Sequence, residues 1–491
     1  MEKLELWRQQ IDEIDDEICT LIEKRLEIAK QIGLFKLKNQ LPIVSLEREQ
    51  EINKRLQKRK YGEQLSSIYE KIFQLSKELQ QIDFFLVGKK LDYSLSPLIH
   101  LLMGNLRYGL WETEHFESIQ KLPFQALNVT NPFKTAAFEC CDESSEEAKI
   151  TKTCNLLVRN NGIIRGFNTD YGAFLATLDF YHQNVKSLKV VIIGNGATSR
   201  TIAQALIARG CDRIIYLVRE IRNKDEFLIA DYLRFSDFQM IINTTPYGTN
   251  QQDDLLPLFP LKDFVNLQFV MDVVYNPPLT ALLLAAKQLS IPHANGLLML
   301  VTQAALGLQI VKQKSYHNLI QPVFQQLKKE LTNLVLIGMP YSGKTTYGRL
   351  ISKALGRPFF DVDLELEKEG HDLSTLLKKS NLADFRQKEA NITLALNQRR
   401  GVVIATGGGI VLNDAIMQRL KQKSILIFIN TPLSELIKRI DQTRPLAQNQ
   451  EQLEQLFINR ISLYHRYADI IAHNEKEILE KVYEYFNHQW P

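Results

Sequence analysis

The sequence has 491 residues, too many for one ordinary hydrophobic core, so we expect two to four domains. Apolar residues make up 45% of the chain and charged residues 24%, which is typical of a globular protein in water. Because 60 basic residues nearly balance 56 acidic ones, the net charge is +4, and this composition excludes a broad nucleic-acid or membrane footprint.

Cysteine usage and hydropathy predict the compartment. The five cysteines form no C-x-x-C pair and are odd in number, which argues against a disulfide framework and favours a reducing compartment. The N-terminus is charged and has no secretory pattern, and the longest apolar stretch, 296–311, is too short to span a bilayer. We therefore expect a cytoplasmic protein whose partners are small molecules, without nucleic acid or membrane.

The chain up to about residue 81 is predicted to be all-helical. A first helix is expected to end at Gly33, a second follows Pro42, and a third covers about residues 65–81. Eight residues of the first helix share one face: Trp7, Ile11, Ile14, Ile18, Leu21, Arg25, Ile28 and Ile32. Three helices make a thin core, so we expect this unit to need a partner chain or domain.

From Asp83 onward, short apolar strands alternate with helices, which predicts a parallel α/β fold. The predicted strands are FFLVG, ALNV, KVVIIG, RIIYLV, MIINTT and FVMDVV, and the pattern continues to about Gln326. LVLIG then opens a third unit, with further strands at VVIATGG and SILIFIN. No long Pro/Gly/Ser linker separates the units, so we expect close packing.

The third unit opens on a phosphate-binding loop. GMPYSGKT, from Gly338 to Thr345, matches G-x-x-x-x-G-K-[ST] between a strand and a helix, the context that this motif requires. Its backbone N–H groups can wrap a phosphate, Lys344 can reach the terminal phosphates, and the Thr345 hydroxyl can bind Mg²⁺. We expect Asp361 and Asp363 on one side of a strand end, where one carboxylate holds Mg²⁺ and the other orients an attacking hydroxyl.

Glycines and arginines downstream extend this pattern. The chain supplies Arg386 and Glu389 in DFRQKE, a glycine triplet in ATGGG, Arg444 in TRPL and Arg460 in NRISLYHRYAD. Arginine suits both a carboxylate and a developing phosphoryl charge. Over about residues 333–473 the ordered series resembles shikimate kinase, and another small-metabolite kinase, such as a gluconate kinase, is the alternative within the fold.

The kinase resemblance implies ATP, Mg²⁺ and shikimate as ligands, with Lys344 and Arg444 as the catalytic cations. The implied shikimate ligands are Asp363, Arg386, Gly408, Gly409 and Arg460. The implied ATP ligands are Gly338, Ser342, Gly343, Lys344, Thr345, Thr346 and Arg444. Thr345 and Asp361 would hold the metal.

The middle unit carries a loosened dinucleotide fingerprint. KVVIIGNGATSR places Gly194, Gly196 and Ser199 between a strand and a helix as G-x-G-x-x-S. Around it lie YSLSP, NVTNPFK, CNLLV, GFNTD and GLLMLVTQAA. Hydride reduction of a ketone needs a proton donor near the new alkoxide, and a lysine held by an aspartate serves that need.

This ordered set resembles shikimate dehydrogenase across about residues 83–328. The resemblance implies Lys134 and Asp170 as the acid/base pair. The implied shikimate ligands are Ser94, Ser96, Thr130, Lys134, Asn155, Asp170, Tyr275 and Gln303. The implied cofactor ligands are Gly194, Asn195, Gly196, Ala197, Thr198, Ser199, Arg219, Arg222, Gly296 and Met299. A quinate dehydrogenase is the alternative, which Ser96, in place of a bulkier threonine, disfavours.

The end of the second dinucleotide strand bears on cofactor choice. IIYLVREIRNK offers Arg219 and Arg222 there and no acid ends the strand, so NADP, with its 2′-phosphate, is favoured over NAD. The family usually has Asn-Arg-Thr where this chain has Val218, Arg219 and Glu220, and Glu220 would repel a phosphate if it pointed inward.

Cationic residues in the first unit indicate an anionic ligand. Arg25 lies on the apolar stripe and needs an anionic partner, because an unpaired buried charge is costly. The series W-R-x-x-I-D-x-I-D, E-K-R, K-x-K, E-R-E and S-x-x-x-Q resembles the all-helical chorismate mutase over Leu4 to Gln81, with Ser45 where the family has Asp. The alternative is a dimerising or effector-binding module without catalysis.

The mutase resemblance implies a homodimer in which Arg8 reaches the partner's site. The implied chorismate ligands are Arg8, Arg25, Lys36, Arg48, Glu49, Ser76 and Gln80. The rearrangement needs no nucleophile, only a dianion held in a reactive shape with cations at the developing charge.

The predicted fold class is multidomain, with an all-α three-helix unit at 1–82, a two-lobed α/β dehydrogenase at 83–328 and an α/β P-loop kinase at 331–491. The dehydrogenase is expected to have a substrate lobe at about 83–185 and a Rossmann-like NADP lobe at about 186–295. The expected reactions are reduction of 3-dehydroshikimate, 3-phosphorylation of shikimate and rearrangement of chorismate to prephenate.

Overall fold

The computed structural model describes residues 2–38, 46–92, 94–121, 124–249, 256–368, 382–441 and 447–488. The chain forms two compact units, which do not coincide with the three parts predicted from the sequence. The first unit is Met1–Ala176 with Leu300–Ile320, and the second unit is Thr177–Met299 with Gln321–Pro491. Pro42, Ser45 and Arg444 lie outside the described residues. Within the described ranges, no helix is both long and apolar enough to cross a membrane. The five cysteines are free thiols.

Three helices open the first unit: α1 (Glu2–Lys38), α2 (Leu46–Leu56) and α3 (Gly62–Gln80). The prediction of three helices is confirmed, but α1 continues through Gly33 to Lys38, so the predicted helix end was wrong. A Cβ at Gly33 would lie 2.6 Å from the Cα of Gln80. Glycine is needed there because α1 and α3 approach closely, not because the helix stops.

A six-stranded sheet completes the first unit, in the order β2-β1-β3-β5-β6-β4. Its strands are β1 (Phe84–Gly88), β2 (Tyr108–Glu112), β3 (Ala126–Val129), β4 (Glu143–Ser144), β5 (Leu156–Asn160) and β6 (Ile163–Phe167). β1 is parallel to β2 and β3, whereas β5 is antiparallel to β3 and β6, so the sheet is mixed rather than purely parallel. The short turn at Asn161 and Gly162, both with positive φ, forces β5 and β6 to be antiparallel.

Short helices connect these strands and carry several predicted site residues. They are α4 (Ser96–Leu102), α5 (Lys134–Glu139), α6 (Glu146–Thr151) and α7 (Thr169–Phe180). The core on one side of the sheet includes Phe85, Leu127 and Leu157, each at most 1% exposed. Burial of these apolar side chains fixes the strand ends from which the loops of the site emerge.

The second unit contains a six-stranded parallel sheet in the order β12-β11-β10-β7-β8-β9. Its strands are β7 (Lys189–Ile193), β8 (Arg213–Val218), β9 (Glu226–Leu228), β10 (Met240–Asn243), β11 (Phe269–Asp272) and β12 (His293–Asn295). The associated helices are α8 (Ala197–Ala208) and α9 (Ala281–Gln288). Two further helices, α10 (Leu297–Lys312) and α11 (His317–Leu331), each contain residues of both units. The strand order reverses direction at β7, where open parallel sheets bind their ligands.

A five-stranded parallel sheet follows in the same unit, in the order β14-β15-β13-β16-β17. Its strands are β13 (Asn333–Ile337), β14 (Phe359–Asp361), β15 (Val403–Ala405), β16 (Ser424–Ile429) and β17 (Ile470–Ala472). Its helices are α12 (Lys344–Leu355), α13 (Val362–Lys368), α14 (Leu382–Asn397), α15 (Asp414–Lys423), α16 (Leu433–Lys438), α17 (Gln450–Tyr467) and α18 (Glu475–His488). The central strands are fully buried, as expected for a parallel sheet covered on both faces.

The two sheets of the second unit are joined without a long linker. α11 ends at Leu331 and β13 begins at Asn333. A second contact joins α9 to the five-stranded sheet, because the Lys287 ammonium lies 2.9 Å from the Asp469 carboxylate. Burial lowers the pKa of Lys287, but the charge of Asp469 outweighs it, so the pKa lies above its usual value. This ion pair lies within the second unit, and the close packing of all three predicted parts stays a prediction.

Candidate active sites

A buried ion pair joins two helix starts in the first unit. The Nζ of Lys134, the first residue of α5, lies 2.6 Å from Oδ2 of Asp170, in the first turn of α7. The two side chains are only 14% and 11% exposed. In such a location each charge stabilises the other, and the lysine amine is held in one orientation.

The other predicted substrate residues of the first unit lie on loops and helix starts. Ser96 is buried at the start of α4, and its N–H donates to the Ser94 hydroxyl at 3.2 Å. Thr130 follows β3, and a Cβ at Gly88 would lie 2.6 Å from its methyl group, so the loops after β1 and β3 touch. These loops emerge from the carboxyl ends of neighbouring parallel strands, the usual place for a ligand in an α/β sheet.

Two predicted amide side chains are buried in the same unit. The Oδ1 of Asn155 accepts from the N–H of Thr169 at 2.7 Å, directly before Asp170. Gln303, which is 8% exposed, donates to the Leu300 carbonyl at 2.9 Å. Asn155 is therefore coupled to the helix start that carries Asp170.

A buried aromatic group behind the serines was missed by the sequence analysis. The Tyr108 hydroxyl donates to Oδ1 of Asn128 at 2.9 Å, and the Tyr108 ring stacks on His100 at 3.6 Å between centroids. Burial lowers the pKa of His100 to about 3, so this imidazole is neutral at physiological pH. No local motif identifies the group, because its members come from α4, β2 and β3.

In the second unit, the glycine-rich loop between β7 and α8 matches the predicted cofactor loop. Gly194 has φ of +97°, a conformation that favours glycine, and Gly196 precedes the first turn of α8, which holds Ala197 and Thr198. The N–H groups at such a helix start are suited to a pyrophosphate. Ser199 is buried and its hydroxyl lies 2.6 Å from that of Thr244, so it packs the helix against the sheet.

The loop between β8 and β9, residues 219–225, contains the two predicted phosphate ligands, and we call it the arginine loop. Arg219 is exposed, and the Arg222 guanidinium lies 2.9 Å from the Glu220 carboxylate, both side chains being exposed. Glu220, which the sequence analysis identified as a source of repulsion, is thus paired with Arg222.

Three further predicted residues lie near β11 and β12. Tyr275 belongs to the loop after β11, which includes a cis peptide between Asn276 and Pro277. A Cβ at Gly296 would lie 2.0 Å from the Val273 carbonyl oxygen, so only glycine fits there. Met299, in the first turn of α10, is 6% exposed.

The P-loop has the backbone that its sequence predicts. Gly338 and Gly343 have φ of +152° and +90°. The Lys344 ammonium donates to the carbonyls of Gly338 and Met339 at 3.0 and 2.9 Å, so it lies across the loop. Ser342 is fully buried within the loop.

A cavity of about 450 Å³ opens on this loop and collects most of the predicted kinase residues. Those that line it are Gly343, Lys344, Thr345, Thr346, Asp361, Asp363, Arg386, Gly408, Gly409 and Arg460. Asp361 ends β14, but Asp363 lies in the first turn of α13. The expectation that both aspartates belong to one strand was wrong, because the chain turns into a helix after Asp361.

Charged pairs shape the floor of the cavity. Arg386 donates to Oε2 of Glu389 at 2.6 Å, and burial raises the pKa of this 1% exposed carboxyl. Arg460 donates to the Gly408 carbonyl at 3.1 Å, and the buried hydroxyl of Tyr464 donates to the same oxygen at 2.5 Å. The glycine triplet is thus fixed by two side chains of α17, and Tyr464 was not predicted.

Two oxygen groups in this cavity suit a magnesium ion. The Thr345 hydroxyl donates to Oδ2 of Asp361 at 2.6 Å, which brings both predicted metal ligands together. Hard oxygen donors fit Mg²⁺, which keeps several waters and takes the rest of its ligands from phosphates. The described residues contain no cluster of three or more His, Cys, Asp or Glu side chains that could hold a metal by themselves.

The helical part brings four of its seven predicted residues together in two pairs. Arg25 donates to the Ser76 hydroxyl at 2.6 Å, and Lys36 donates to Oε1 of Gln80 at 3.3 Å. Both pairs join α1 to α3.

The other three residues of the helical part lie elsewhere. Glu49 pairs with Lys77 at 2.9 Å, Arg48 pairs with Glu51, and Arg8 is exposed, 3.5 Å from Glu5.

The fold and the sites define a multidomain enzyme that combines a dinucleotide-dependent dehydrogenase with a P-loop kinase. Family models match residues 340–490 (shikimate kinase), 86–157 (shikimate dehydrogenase substrate binding domain) and 7–81 (chorismate mutase type II). A shikimate kinase of Clostridium botulinum is 38% identical over 154 residues, 30% of this chain and 91% of that protein. A shikimate dehydrogenase (NADP(+)) of Pelagibacter ubique is 32% identical over 240 residues, 45% of this chain and 89% of that protein.

A chorismate mutase/shikimate 5-dehydrogenase fusion of Clostridium acetobutylicum has a solved structure that is 27% identical, with a TM-score of 0.47, covering 50% of this chain and 97% of that one. By its sequence matches, the chain belongs to the shikimate dehydrogenase family in its middle part and to the shikimate kinase family in its C-terminal part. Residues 7–81 match the model of the chorismate mutase type II family.

Proposed function

We propose that this chain catalyses NADP-dependent reduction of 3-dehydroshikimate to shikimate, ATP-dependent 3-phosphorylation of shikimate, and rearrangement of chorismate to prephenate. The observation that supports it most strongly is the buried Lys134–Asp170 pair, of which Lys134 lies within the region that matches the substrate-binding domain. The test is to assay the purified chain separately for the three reactions. Absence of turnover in the first two would overturn the proposal.

In the dehydrogenase, Lys134 acts as the proton donor. The reduced nicotinamide supplies the hydride when NADPH is bound. Lys134 gives a proton to the carbonyl oxygen as it becomes an alkoxide, and Asp170 holds the ammonium at 2.6 Å in the orientation for this transfer. The reaction therefore adds one hydride and one proton across the C=O bond of the ketone.

The remaining dehydrogenase residues bind and orient. Ser94 and Ser96 bind the substrate carboxylate, and Asn155 and Gln303 bind ring hydroxyls. Thr130 and Tyr275 complete this set. The glycine-rich loop at Gly194–Ser199 and the residues Arg219, Arg222, Gly296 and Met299 bind the cofactor. NADP is the proposed cofactor because the dehydrogenase relatives are named for NADP(+) and because arginines follow β8.

In the kinase, the cavity residues divide into phosphate and shikimate ligands. Lys344 and Arg444 neutralise the transferring phosphoryl group, and the P-loop N–H groups bind the other phosphates. Asp363 accepts a hydrogen bond from the attacking hydroxyl of shikimate, while Arg386 and Arg460 pair with its carboxylate. Thr345 and Asp361 would hold Mg²⁺, which supplies positive charge beside the phosphates.

In the mutase, positive charge lies against α3. Arg25 with Ser76, and Lys36 with Gln80, form two polar pairs along the α1–α3 crossing. We assign Lys36 and Gln80 to the breaking ether oxygen and Arg8 and Arg25 to the carboxylates of chorismate. Arg48 and Glu49 complete the proposed site.

A homodimer formed through α1 is part of this proposal. Every residue from 3 to 21 of α1 is exposed, including Trp7, Ile11 and Ile14, each more than half exposed. An apolar stripe of this length is costly in water and fits a second copy of the same helix.

The position of Arg8 supports a site shared between the two chains. Arg8 lies 17 residues before Arg25 on one helix, which separates them by about 25 Å. Arg8 therefore cannot join Arg25 in the same site unless it comes from the partner chain.

The division into domains at 1–82, 83–328 and 331–491, and a cytoplasmic location, are part of the same proposal.

The alternative for the helical part is a dimerising or effector-binding module without catalysis. Chorismate turnover that the dimeric wild-type chain shows and Lys36→Ala loses would support catalysis, whereas a dimeric wild-type chain without turnover would favour the module.

A further inference from the structure

One buried carboxylate joins the two loops of the proposed cofactor site. Glu226 begins β9, pairs with Tyr216 of β8 and is 4% exposed. Its Oε1 accepts from the side-chain amides of Asn195 at 3.1 Å and Asn223 at 2.7 Å. Its Oε2 accepts from the backbone N–H groups of Arg222 at 2.6 Å and Asn223 at 3.1 Å.

The donors belong to two segments with different tasks. Asn195 lies between the two glycines of the loop that leads into α8, where a pyrophosphate binds in this fold. Arg222 and Asn223 lie in the arginine loop after β8, where the adenosine ribose binds. Glu226 thus forms a bridge that connects the glycine-rich loop, which binds the pyrophosphate of any dinucleotide, to the arginine loop, which contacts the 2′-position of the adenosine ribose.

An acid in this region is usually a sign of NAD, because a free carboxylate there accepts hydrogen bonds from the ribose hydroxyls. Glu226 cannot serve that purpose. An ionised carboxylate has about four acceptor positions, and protein donors supply four hydrogen bonds here. Burial raises the pKa of Glu226, but these hydrogen bonds outweigh it, so the pKa lies below its usual value.

We propose that Glu226 is a positioning residue that sets the preference for NADP, by tying the arginine loop to the glycine-rich loop. The arginine loop has few other anchors in the described structure: Asn223 is exposed, and Arg222 pairs with Glu220 at the surface. Fixing the backbone at 222 and 223 holds Arg219 and Arg222 near one position, which lowers the entropic cost of pairing with a 2′-phosphate. This inference rests on the proposed dehydrogenase function.

The experiment is direct titration of the full-length chain with NADP and with NAD. In Glu226→Gln, an amide NH₂ group replaces one acceptor and faces a donor, so the bridge is broken. We expect the Kd for NADP to rise about tenfold or more, the Kd for NAD to rise much less, and kcat at saturating NADP to stay within about twofold. Retained NAD binding and retained kcat in the same sample report that the dehydrogenase part is folded.

Two further substitutions, Asn223→Ala and Asn195→Ala, test the two ends of the bridge one at a time. Asn223→Ala removes a side chain that is exposed and outside the core, and it should weaken NADP binding more than NAD binding. Asn195→Ala should weaken both cofactors, because the pyrophosphate is common to them, and should weaken NADP more, because it also removes the glycine-rich-loop end of the bridge. The matched control is Asp237→Asn, which makes the same acid-to-amide change at an exposed residue of the same lobe, bonded to Lys189, and should change neither Kd.

The outcomes distinguish this inference from the proposed function. Wild-type chain that binds NADP, together with a Glu226→Gln variant that binds it equally well, would overturn the inference alone. Equal losses for NADP and NAD in both Glu226→Gln and Asn223→Ala would also overturn it, because the bridge would then not read the 2′-phosphate. A wild-type chain that bound neither cofactor would overturn the dehydrogenase function and this inference together.

Discussion

Lys134 and Asp170 come from two helices, α5 and α7, that start at the same place in the first unit, and their charged groups lie 2.6 Å apart. At 14% and 11% exposure, the pair is largely shielded from water without being fully buried. This is the arrangement that a proton donor requires, because the amine is fixed by its partner and remains accessible to a ligand.

Lys134→Ala should therefore reduce dehydrogenase turnover by about 10²-fold or more, since no other group replaces the proton donor. Phosphorylation of shikimate by the same sample should be unchanged. The matched control is Lys149→Ala, which removes an exposed lysine of α6 that pairs with the surface residue Glu146. Near-normal dehydrogenase turnover in Lys134→Ala would remove this lysine from the mechanism.

Substitutions of Asp363 and Lys344 should have different effects on the two substrates of the kinase, shikimate and ATP. Asp363→Asn should impair use of shikimate and spare nucleotide binding, because this carboxylate lines the cavity at the glycine triplet, with its Oδ1 3.5 Å from a Cβ at Gly407. Lys344→Ala should impair ATP-dependent phosphorylation, because the phosphate charge loses its cation. Binding of each substrate is measured by titration. Loss of ATP binding with intact shikimate affinity in Asp363→Asn would contradict the assignment.

Gly409→Ala tests the floor of the kinase cavity. A Cβ at this position would lie 2.0 Å from Cζ of Arg386, so the guanidinium must move away from its position. We expect a KM for shikimate raised about tenfold or more, because Arg386 loses its alignment with the carboxylate. Gly356→Ala changes a glycine with open space around it and controls for substitution of a glycine in general, although its positive φ will lower stability slightly. An unchanged KM in Gly409→Ala would show that Arg386 does not bind shikimate.

The parts of the fold that the sequence predicted are those with local signals. The P-loop was found because Gly338, Gly343, Lys344 and Thr345 have a fixed spacing within eight consecutive residues, and the buried strands were found because each is a short apolar run between turns. Gly33 misled the prediction because a glycine that permits close packing and a glycine that ends a helix look the same in one sequence. The choice depends on Gln80, which lies on another helix.

The parts of the sites that the sequence did not predict depend on contacts between distant segments. Glu226 is separated by 31 residues from Asn195. The buried cluster of His100, Tyr108 and Asn128 has its members on one helix and two strands. Asp363 was placed on a strand because D-x-D alternates as a strand does, whereas the chain turns into α13 directly after Asp361. Such contacts follow from the tertiary fold rather than from spacing along the chain.

Arg219 should read the cofactor phosphate. Arg219→Ala should lower the affinity for NADP far more than the affinity for NAD, because only NADP carries the 2′-phosphate with which an arginine pairs. The measurement is the Kd of each cofactor by titration. Equal changes in both constants would mean that Arg219 does not contact that phosphate.

The proposed shared mutase site predicts complementation between two inactive variants. Arg8→Ala and Lys36→Ala should each lose almost all chorismate turnover, because one removes the cation of the partner chain and the other that of the home chain. Co-expression should restore part of the activity, since a mixed dimer rebuilds one intact site. The measurement is chorismate loss in purified mixed dimers.

Two results would contradict the shared site. One is the absence of any recovery in mixed dimers whose composition has been verified. The other is a chain that remains monomeric and still converts chorismate. An inactive but dimeric wild-type chain would instead favour the dimerising or effector-binding alternative for the helical part.

The central claim is that one chain carries out two consecutive steps, and one coupled assay tests it most directly. Purified protein is given 3-dehydroshikimate, NADPH, ATP and Mg²⁺, and NADPH oxidation and shikimate 3-phosphate are both followed. The account predicts that NADPH is consumed and that phosphorylated shikimate then accumulates, while Lys134→Ala blocks both and Lys344→Ala blocks only the second. A wild-type chain that oxidised no NADPH with this substrate, or that left added shikimate unphosphorylated, would contradict it.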